Sequence, residues 1–195
     1  SIRVGEPVEI QPRGLKTRVR RLVCGFDDVD DVEVHQAVTV VLEDEIDCSR
    51  MGSGGYSIPS IVEEEVIRFK KCTAKFILHV EKDTVWRRFN EDKFWRKHNC
   101  LLTHGGGQPP RGVRRMLYRL HHELKLPVYC LLDNDPWGYY IYSVLKQGSI
   151  NLAYESKRMA IPSARFLGLR SIDYEKCKLA PSVQIALSDS DIKRA

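Results

Sequence analysis

The sequence contains no long apolar run and no leader-like start. Its 195 residues are 43% hydrophobic, yet no segment approaches the roughly 20 consecutive apolar residues that span a bilayer. The first residues, Ser1–Val4, carry neither a secretory signal pattern nor an initiator methionine. These absences exclude a membrane-spanning protein. They predict a soluble globular chain without a membrane partner, either processed or part of a longer protein.

Paired cysteine motifs are also missing. The six cysteines lie far apart, and no two of them form a Cys-x-x-Cys pair. Cys100 and Cys130 fall in apolar segments typical of buried strands, where cysteine behaves as a small core residue. The spacing therefore argues against a zinc site or a disulfide framework, and it favours a reducing cytoplasm.

Basic residues are absent from one long stretch of the chain. No Lys or Arg occurs between Leu22 and Ser49, whereas nine acidic residues do. They are Asp27, Asp28, Asp30, Asp31, Glu33, Glu43, Asp44, Glu45 and Asp47. Elsewhere, 31 basic residues face the other 17 of the 26 acidic residues. Such a surplus favours a polyanionic partner bound through phosphate contacts. A charged surface that only keeps the protein in solution is the alternative.

From residue 75 onward, apolar segments alternate with amphipathic ones. The pattern predicts strands at 75–80, 100–103, 128–132 and 150–153, and helices at 83–97, 110–124 and 136–147. Strands that are apolar on both faces are typical of parallel sheets, and their alternation with helices is typical of right-handed βαβ units. We therefore predict an α/β fold, with a parallel sheet flanked by helices.

The first 45 residues predict a small β-rich segment. Strands are expected at 19–23 and 38–42, with an alternating pattern at 32–34 between them. The acidic run at 27–31 is interpreted as a solvated loop.

Acidic residues follow two of the predicted strands. Glu81 follows the strand at 75–80, and Asp133 and Asp135 follow the strand at 128–132. Ligands of open α/β sheets bind beyond the carboxyl ends of the strands, so these carboxylates should converge on one rim. An oxygen-rich cluster there suits Mg²⁺. In the alternative that needs no metal, Asp135 caps the following helix and Glu81 is simply solvated.

The predicted helix at 110–124 has an apolar side and a basic side. The basic side carries Arg111, Arg114, Arg115, Arg119 and His122. Only one acidic residue, Glu123, accompanies them, which favours contacts with the backbone of duplex DNA over a merely solvated face. The preceding Gly105–Gly107 permits close approach of the main chain to a phosphate, although a plain flexible loop is the alternative.

Several motifs resemble those of one known family, in the same order along the chain. They are Met51–Ser60, Val80–Asp83, Phe94–His98, Gly107–Arg115, Asp133–Tyr140, Gly148–Leu152 and Phe166–Leu169. Together they resemble the A subunits of DNA topoisomerase VI over roughly residues 46–175. Glu81 with Asp133 and Asp135 is similar to the Toprim pattern of Glu after one strand and Asp-x-Asp after a later one.

The resemblance implies a domain plan and an activity. It implies a Toprim metal-binding domain at 46–180, with a β-rich acidic segment at 1–45 before it and a truncated tail at 181–195. The implied activity is that of the DNA-cleaving A subunit of an archaeal-type, ATP-dependent type IIB topoisomerase. Such an enzyme relaxes supercoils by passing one duplex through a transient double-strand break. The expected partners are duplex DNA, a second A subunit in a homodimer, and an ATP-binding B subunit in a heterotetramer, in the cytoplasm at the nucleoid.

The same resemblance implies roles for individual residues. Mg²⁺, for which Mn²⁺ can substitute, would be held by Glu81, Asp133 and Asp135, with Glu81 also a candidate general acid or base. ATP is expected only at the separate B subunit. The loop His104–Gly107 departs from the family pattern, since it lacks the lysine that members often carry there.

The attacking tyrosine of this family is not expected in the chain. No tyrosine follows a basic helix-turn-helix pattern, and Tyr139 and Tyr140 begin the helix after Asp135. We therefore expect this fragment alone to be inactive in cleavage. Two alternatives stay open, namely a relative of the meiotic double-strand-break transesterases and a non-catalytic DNA-binding or assembly module.

Overall fold

The computed structural model describes residues 2–10, 15–24, 27–32, 39–42, 46–183 and 185–194. Contacts divide the chain into two compact units, Ser1–Gly55 and Tyr56–Ala195. The predicted domain limits at 45 and 180 stay predictions, and residues 43–45 lie outside the described ranges.

The first unit is built from short antiparallel strands. They are β1 Ile2–Arg3, β2 Pro7–Ile10, β3 Leu15–Cys24, β4 Asp27–Val29, β5 Asp31–Val32 and β6 Thr39–Leu42. β1 pairs with β5, while β3 pairs with β2, β4 and β6. A register shift between Val19 and Arg21 allows both Val19 and Leu22 to be buried in one small cluster. The predicted β-rich character of this segment is confirmed.

The acidic run at 27–31 differs from the predicted loop. Its residues form β4 and β5, whose main chains pair with β3 and β1. The side chains of Asp28, Asp30 and Asp31 are exposed, so the acidic residues are solvated although the backbone is paired. Residues 33–38, which include the end of the alternating pattern and the start of the second predicted strand, lie outside the described ranges.

The second unit contains a parallel sheet and its helices. The strands are β7 Phe76–Val80, β8 Cys100–His104, β9 Val128–Leu131 and β10 Arg165–Leu167. The helices are α1 Asp83–Glu91, α2 Phe94–His98, α3 Arg111–Leu124, α4 Pro136–Gln147, α5 Ser171–Lys176 and α6 Asp189–Arg194. The strand order is β10-β9-β7-β8, and every pairing is parallel. The predicted α/β class is confirmed.

Two predicted elements differ from those observed. The helix expected at 83–97 is split, because Lys93 adopts a left-handed conformation with φ 52° that a continuing α-helix cannot accommodate. The strand expected at 150–153 is instead part of a kinked 3-10 segment, Ile150–Arg158. Ile150 is 95% exposed, so this apolar stretch has no sheet face to cover. The sheet edge next to β9 is taken by β10.

Both faces of the sheet are covered, as continuous apolar strands predict. Ile77 of β7 belongs to the cluster that includes Leu117 of α3, while its neighbour Leu78 packs with Trp86 of α1 on the other face. Cys130 of β9 is fully buried and unpaired. Because both of its faces are packed, the sheet fixes the positions of the loops at its carboxyl rim.

No helix in the described part of the chain is both long and apolar enough to cross a membrane.

Candidate metal and nucleic-acid site

Two strand ends bring Glu81 and Asp133 together. Val80 of β7 lies opposite Leu131 of β9, so the residues that follow leave the sheet side by side. The Glu81 N–H donates to the Leu131 carbonyl at 3.0 Å, and the Asp133 N–H donates to Glu81 Oε2 at 2.9 Å. The Glu81 side chain is thereby held against the main chain that carries Asp133.

Glu81 is mostly removed from water. Its exposure is 9%, and this burial raises the pKa of its carboxyl above the ordinary value. The hydrogen bond from the Asp133 N–H opposes that rise, whereas the negative charges of Asp133 and Asp135 add to it. A carboxyl in this setting takes up a proton more readily than a surface glutamate, which suits a general acid or base.

Asp133 already has a cationic partner within the chain. Lys82 Nζ lies 2.6 Å from Asp133 Oδ2, with side-chain exposures of 58% and 42%. The hydrogen bond to Asp133 and the charge of that carboxylate raise the pKa of Lys82. An ion pair this exposed contributes about 0–1 kcal/mol, so the lysine is held only weakly.

Asp135 begins helix α4. Its Oδ1 accepts a hydrogen bond from the Gly138 N–H at 2.7 Å, and Pro136 occupies the first turn. The same turn packs directly on the preceding strand end, since a Cβ built on Gly138 would lie 2.2 Å from the Asp133 carbonyl oxygen. The capping interpretation of Asp135 is thus correct, and the segment between strand and helix is closely packed.

The three carboxylates suit a hard cation by type but are not gathered into a ligand cage. Their oxygens are the donors that Mg²⁺ and Mn²⁺ prefer. Each, however, is engaged separately, Glu81 by a main-chain N–H, Asp133 by an ammonium and Asp135 by a helix N-terminus. Within the described ranges, no group of three or more His, Cys, Asp or Glu side chains is arranged to hold a metal ion. The predicted metal site stays a prediction that rests on donor type and a shared rim.

The glycine loop Gly105–Gly107 lies at the same rim. The Gly107 N–H donates to the Glu81 carbonyl at 2.9 Å. Gly106 and Gly107 have φ of 67° and 99°, a conformation that favours glycine. The loop therefore brings its main chain beside Glu81 without a side chain in between.

A buried histidine below the rim was missed by sequence analysis. His79 is fully buried in β7, and its Nδ1 lies 3.0 Å from Thr103 Oγ1. Burial, followed by the nearby charge of His104, lowers the pKa of His79 to about 4. The imidazole is therefore neutral at pH 7. The available signal was its position within an apolar strand, where only a neutral, hydrogen-bonded histidine can be buried.

Helix α3 is buried on its basic side as well as on its apolar side. Arg114, Arg115 and Arg119 are only 3%, 8% and 2% exposed. The expectation of an open basic face is therefore wrong for these three residues. The physical reason is that the segment before the sheet also packs on this helix, so closely that a Cβ on Gly112 would lie 2.3 Å from the Pro59 carbonyl oxygen.

Carboxylates of the second unit, one of them on α3 itself, neutralise most of these arginines. The pairs, each with two guanidinium–carboxylate hydrogen bonds, are Arg111 with Glu155, Arg115 with Glu63, and Arg119 with Glu123. Arg119 also donates to the Val62 and Ile67 carbonyls. The role of the four arginines in binding DNA stays a prediction, and only Arg111 has a substantially exposed side chain, at 38%.

Comparison with known families assigns the fold. Residues 76–195 match the family model for the Toprim domain shared by Spo11 and the A subunit of topoisomerase 6. The chain belongs to this family. Residues 42–73 match a second model, described as an all-beta domain in the alpha subunit of DNA topoisomerase VI. The resemblance drawn from the sequence motifs is confirmed, as is the Toprim type of the sheet.

Curated relatives carry the same family name. The chain is 46% identical to the A subunit of type 2 DNA topoisomerase 6 from Aeropyrum pernix over 161 residues, or 78% of this chain and 41% of the relative. It is 44% identical to the Pyrococcus abyssi protein of that name, over 70% of this chain and 35% of the relative. Identity to the A subunit of DNA topoisomerase 6 from Arabidopsis thaliana is 38%, over 77% and 35% of the two chains. The chain thus spans about two fifths or less of the length of these relatives.

Proposed function

We propose that this chain is the metal-binding Toprim part of the DNA-cleaving A subunit of a type IIB DNA topoisomerase. The observation that carries the proposal is the acidic rim, where Glu81 and Asp133 leave adjacent parallel strands and are joined by a hydrogen bond. The names of the relatives and the Toprim family support the same interpretation. The whole protein would relax supercoiled DNA through a transient double-strand break and strand passage.

All three carboxylates at the rim would bind the metal ion, and Glu81 would also transfer a proton. Asp133 and Asp135, with Glu81, would hold Mg²⁺ or Mn²⁺. Such a cation, when bound, supplies positive charge that positions a DNA phosphate and stabilises its developing negative charge. Glu81 has a raised pKa because it is buried, so it is also the residue suited to hold and release a proton there.

The partners of the whole protein follow from the same proposal. We propose duplex DNA as substrate, a homodimer of A subunits, and an ATP-binding B subunit that completes a heterotetramer at the nucleoid in the cytoplasm. The family description also names a second branch, Spo11, so a transesterase that makes meiotic breaks is the related candidate. Co-purification with an ATP-binding B subunit separates the two.

A non-catalytic DNA-binding or assembly module is the candidate from another class. The observation that favours it is the Lys82–Asp133 ion pair, which already neutralises one of the proposed metal ligands. A protein that never binds a metal would have reason to keep such an internal counter-ion.

Metal titration decides between the catalytic and non-catalytic candidates. With a dissociation constant of roughly 1 mM, typical of cations that keep part of their water shell, 10 mM Mg²⁺ or Mn²⁺ should stabilise the chain by about 1.4 kcal/mol. The double substitution Asp133→Asn with Asp135→Asn should abolish this gain. Asn is also a good N-cap, so the start of α4 should survive the change.

The matched control removes the same charge elsewhere. Asp92→Asn with Asp173→Asn affects two aspartates that pair with arginines on α1 and before α5. This control should respond to metal like the unmodified chain, in melting experiments at constant ionic strength. Equal metal stabilisation of all three proteins would contradict the site at the rim and favour the non-catalytic module.

A further inference from the structure

One of the four arginines on α3 differs from the others in its pairing. Arg111, Arg115 and Arg119 each form two hydrogen bonds to a carboxylate. Arg114 has no carboxylate partner among the described residues. Its hydrogen-bond contact there is Nη1 to Ser149 Oγ, at a long 3.3 Å.

Arg114 is nevertheless buried. It is 3% exposed, and its Nε and Nη2 atoms have no hydrogen-bond partner in the described part of the chain. Burial lowers the pKa of this guanidinium below its ordinary value, although arginine stays charged in proteins. A buried charge without a partner is costly, so this position calls for an anion.

The unpaired guanidinium lines an open recess of about 280 Å³. The polar residues that line it are Gln108, Arg111, Arg114, Tyr140, Ser149 and Asn151. Arg111 is neutralised by Glu155, with bonds of 2.7 and 2.9 Å, so the uncompensated charge at the recess is that of Arg114. The recess also contains the start of α3, whose N-terminus carries no side-chain cap. The free N–H groups of a helix N-terminus favour an anion as well.

We propose that this recess is a phosphate-binding site in which the buried guanidinium of Arg114 supplies the positive charge that holds one phosphate group. Its Nε and Nη2 atoms are covered by the protein, so the side chain acts through its charge and through Nη1, the end that contacts Ser149. The Ser149 hydroxyl and the N-terminus of α3 supply further donors to the bound oxygens.

The phosphate can come from the DNA backbone or from free inorganic phosphate. Assignment to DNA rests on the proposed function, whereas the chemistry of the recess does not. Gln108 precedes α3 in the loop that follows β8, so the recess opens from a loop of the same carboxyl rim as Glu81. A backbone phosphate held there would add a contact to DNA engaged at that rim.

Three variants of the 195-residue chain test the recess. Arg114→Met removes the charge with little change in volume, and it should leave the phosphate-free chain at least as stable as the unmodified one. Ser149→Asp keeps Arg114 and supplies the missing carboxylate inside the recess. Arg88→Met removes one charge from an exposed ion pair on α1 and is the matched control.

Inorganic phosphate should raise the melting temperature of the unmodified chain and of Arg88→Met in a saturable manner, relative to chloride at equal ionic strength. Arg114→Met and Ser149→Asp should each weaken phosphate binding at least tenfold. If both variants keep the full gain, or if the unmodified chain shows none, the site does not exist.

Duplex oligonucleotide binding then identifies the source of the phosphate. If it is the DNA backbone, phosphate should compete with the duplex on the unmodified chain, and Arg114→Met should weaken duplex binding more than Arg88→Met does. Unchanged duplex binding with a lost phosphate response would assign the recess to free phosphate. A chain that binds phosphate through Arg114 but binds no DNA would contradict the proposed function and not this site.

Discussion

Glu63 shows how a single carboxylate holds buried charge in this protein. Its oxygens accept bonds from Arg115 at 2.7 and 3.1 Å and from Arg158 at 3.0 Å. The hydrogen bond from Arg115 holds the pKa of Glu63 below its ordinary value, and the charges of Arg115 and Arg158 act in the same direction against burial. Because Arg115 is itself buried, the pair matters more than an exposed one.

Substitution of this carboxylate should therefore cost stability in a pH-dependent manner. Glu63→Gln is expected to lower the free energy of unfolding at pH 7 by about 2 kcal/mol, the contribution of a hydrogen bond to a charged group. A depressed folded-state pKa gives stability that is present above the unfolded value and is lost as pH falls through the folded one. The deficit of the variant should thus shrink as pH falls below the ordinary glutamate pKa of 4.5.

Denaturant unfolding at pH 7 and at steps below about pH 5 measures this effect. Glu64→Gln is the control, since Glu64 is exposed beside Glu63, and it should differ little from the unmodified chain. A Glu63→Gln deficit that stays constant into acid would show that the charged pair is not its cause.

For individual residues, the sequence predicted the positions of side chains at strand ends but not the partners with which those side chains pair. Glu81, Asp133 and Asp135 lie after β7 and β9 as the apolar runs predict. The lysine that pairs with Asp133 was not predicted, and the basic side of α3 was expected to be open. The reason is that Arg111 and Arg115 pair with carboxylates 44 and 52 residues away in the sequence. Helical periodicity predicts only contacts between residues three or four positions apart, so it could not predict these pairs.

Element positions depend on close main-chain contacts that only glycine permits. Gly138 lies in the first turn of α4, against the Asp133 carbonyl. Alanine is about 1 kcal/mol better than glycine inside a helix. Here, however, the added methyl group would have to push α4 away from the strand end. Overpacking of this kind usually lowers the free energy of unfolding by about 1–3 kcal/mol.

Gly138→Ala should therefore destabilise the protein despite the gain in helix propensity. We expect a net loss of up to about 2 kcal/mol, the cost of overpacking less the gain in helix propensity. Metal stabilisation should also weaken, because Asp133 and Asp135 change their spacing. Gly54→Ala is the control, since nothing lies within 4 Å of its added Cβ. Thermal unfolding with and without Mn²⁺ measures both effects, and a Gly138→Ala protein as stable as the control would contradict this packing.

Clear hydrophobic patterns predicted helices and strands well. The break in a helix and the short strand at the edge of the sheet were not predicted. Helices α3 and α4 and strands β7 and β9 match the predictions to within one residue. The split after α1 follows from one left-handed residue, Lys93, whose type gives no signal for it. β10 is only three residues long and partly exposed, so it lacks the continuous apolar run by which the other strands were recognised.

At the scale of the whole molecule, the compact unit that contains the Toprim sheet begins earlier in the chain than the match to the Toprim family does. The second compact unit begins at Tyr56, whereas the part that matches the Toprim family begins at residue 76. Between these limits lie Val62, which is fully buried, and Glu63. The carbonyls that accept from Arg119 are also in this segment.

A chain of residues 56–195 should therefore fold cooperatively, and one of residues 76–195 should not. The shorter chain leaves Arg115 without its carboxylate, and breaking a buried ion pair in this way costs about 3–5 kcal/mol. It also removes two carbonyl acceptors of Arg119, which keeps its pair with Glu123. Chemical unfolding followed by circular dichroism distinguishes the two. A cooperative transition of equal midpoint for both chains would show that residues 56–75 are dispensable.

The Lys82–Asp133 pair means that any other cation that binds Asp133 through the paired oxygen has to exchange with a cation of the protein itself. With an ammonium 2.6 Å from Asp133 Oδ2, the protein supplies its own counter-ion while no other cation is bound. A divalent ion that bound Asp133 through Oδ2 would displace Lys82, so the two cations would compete for one carboxylate oxygen. The displaced ammonium, on an exposed four-carbon side chain, would then be free to contact a phosphate at the rim.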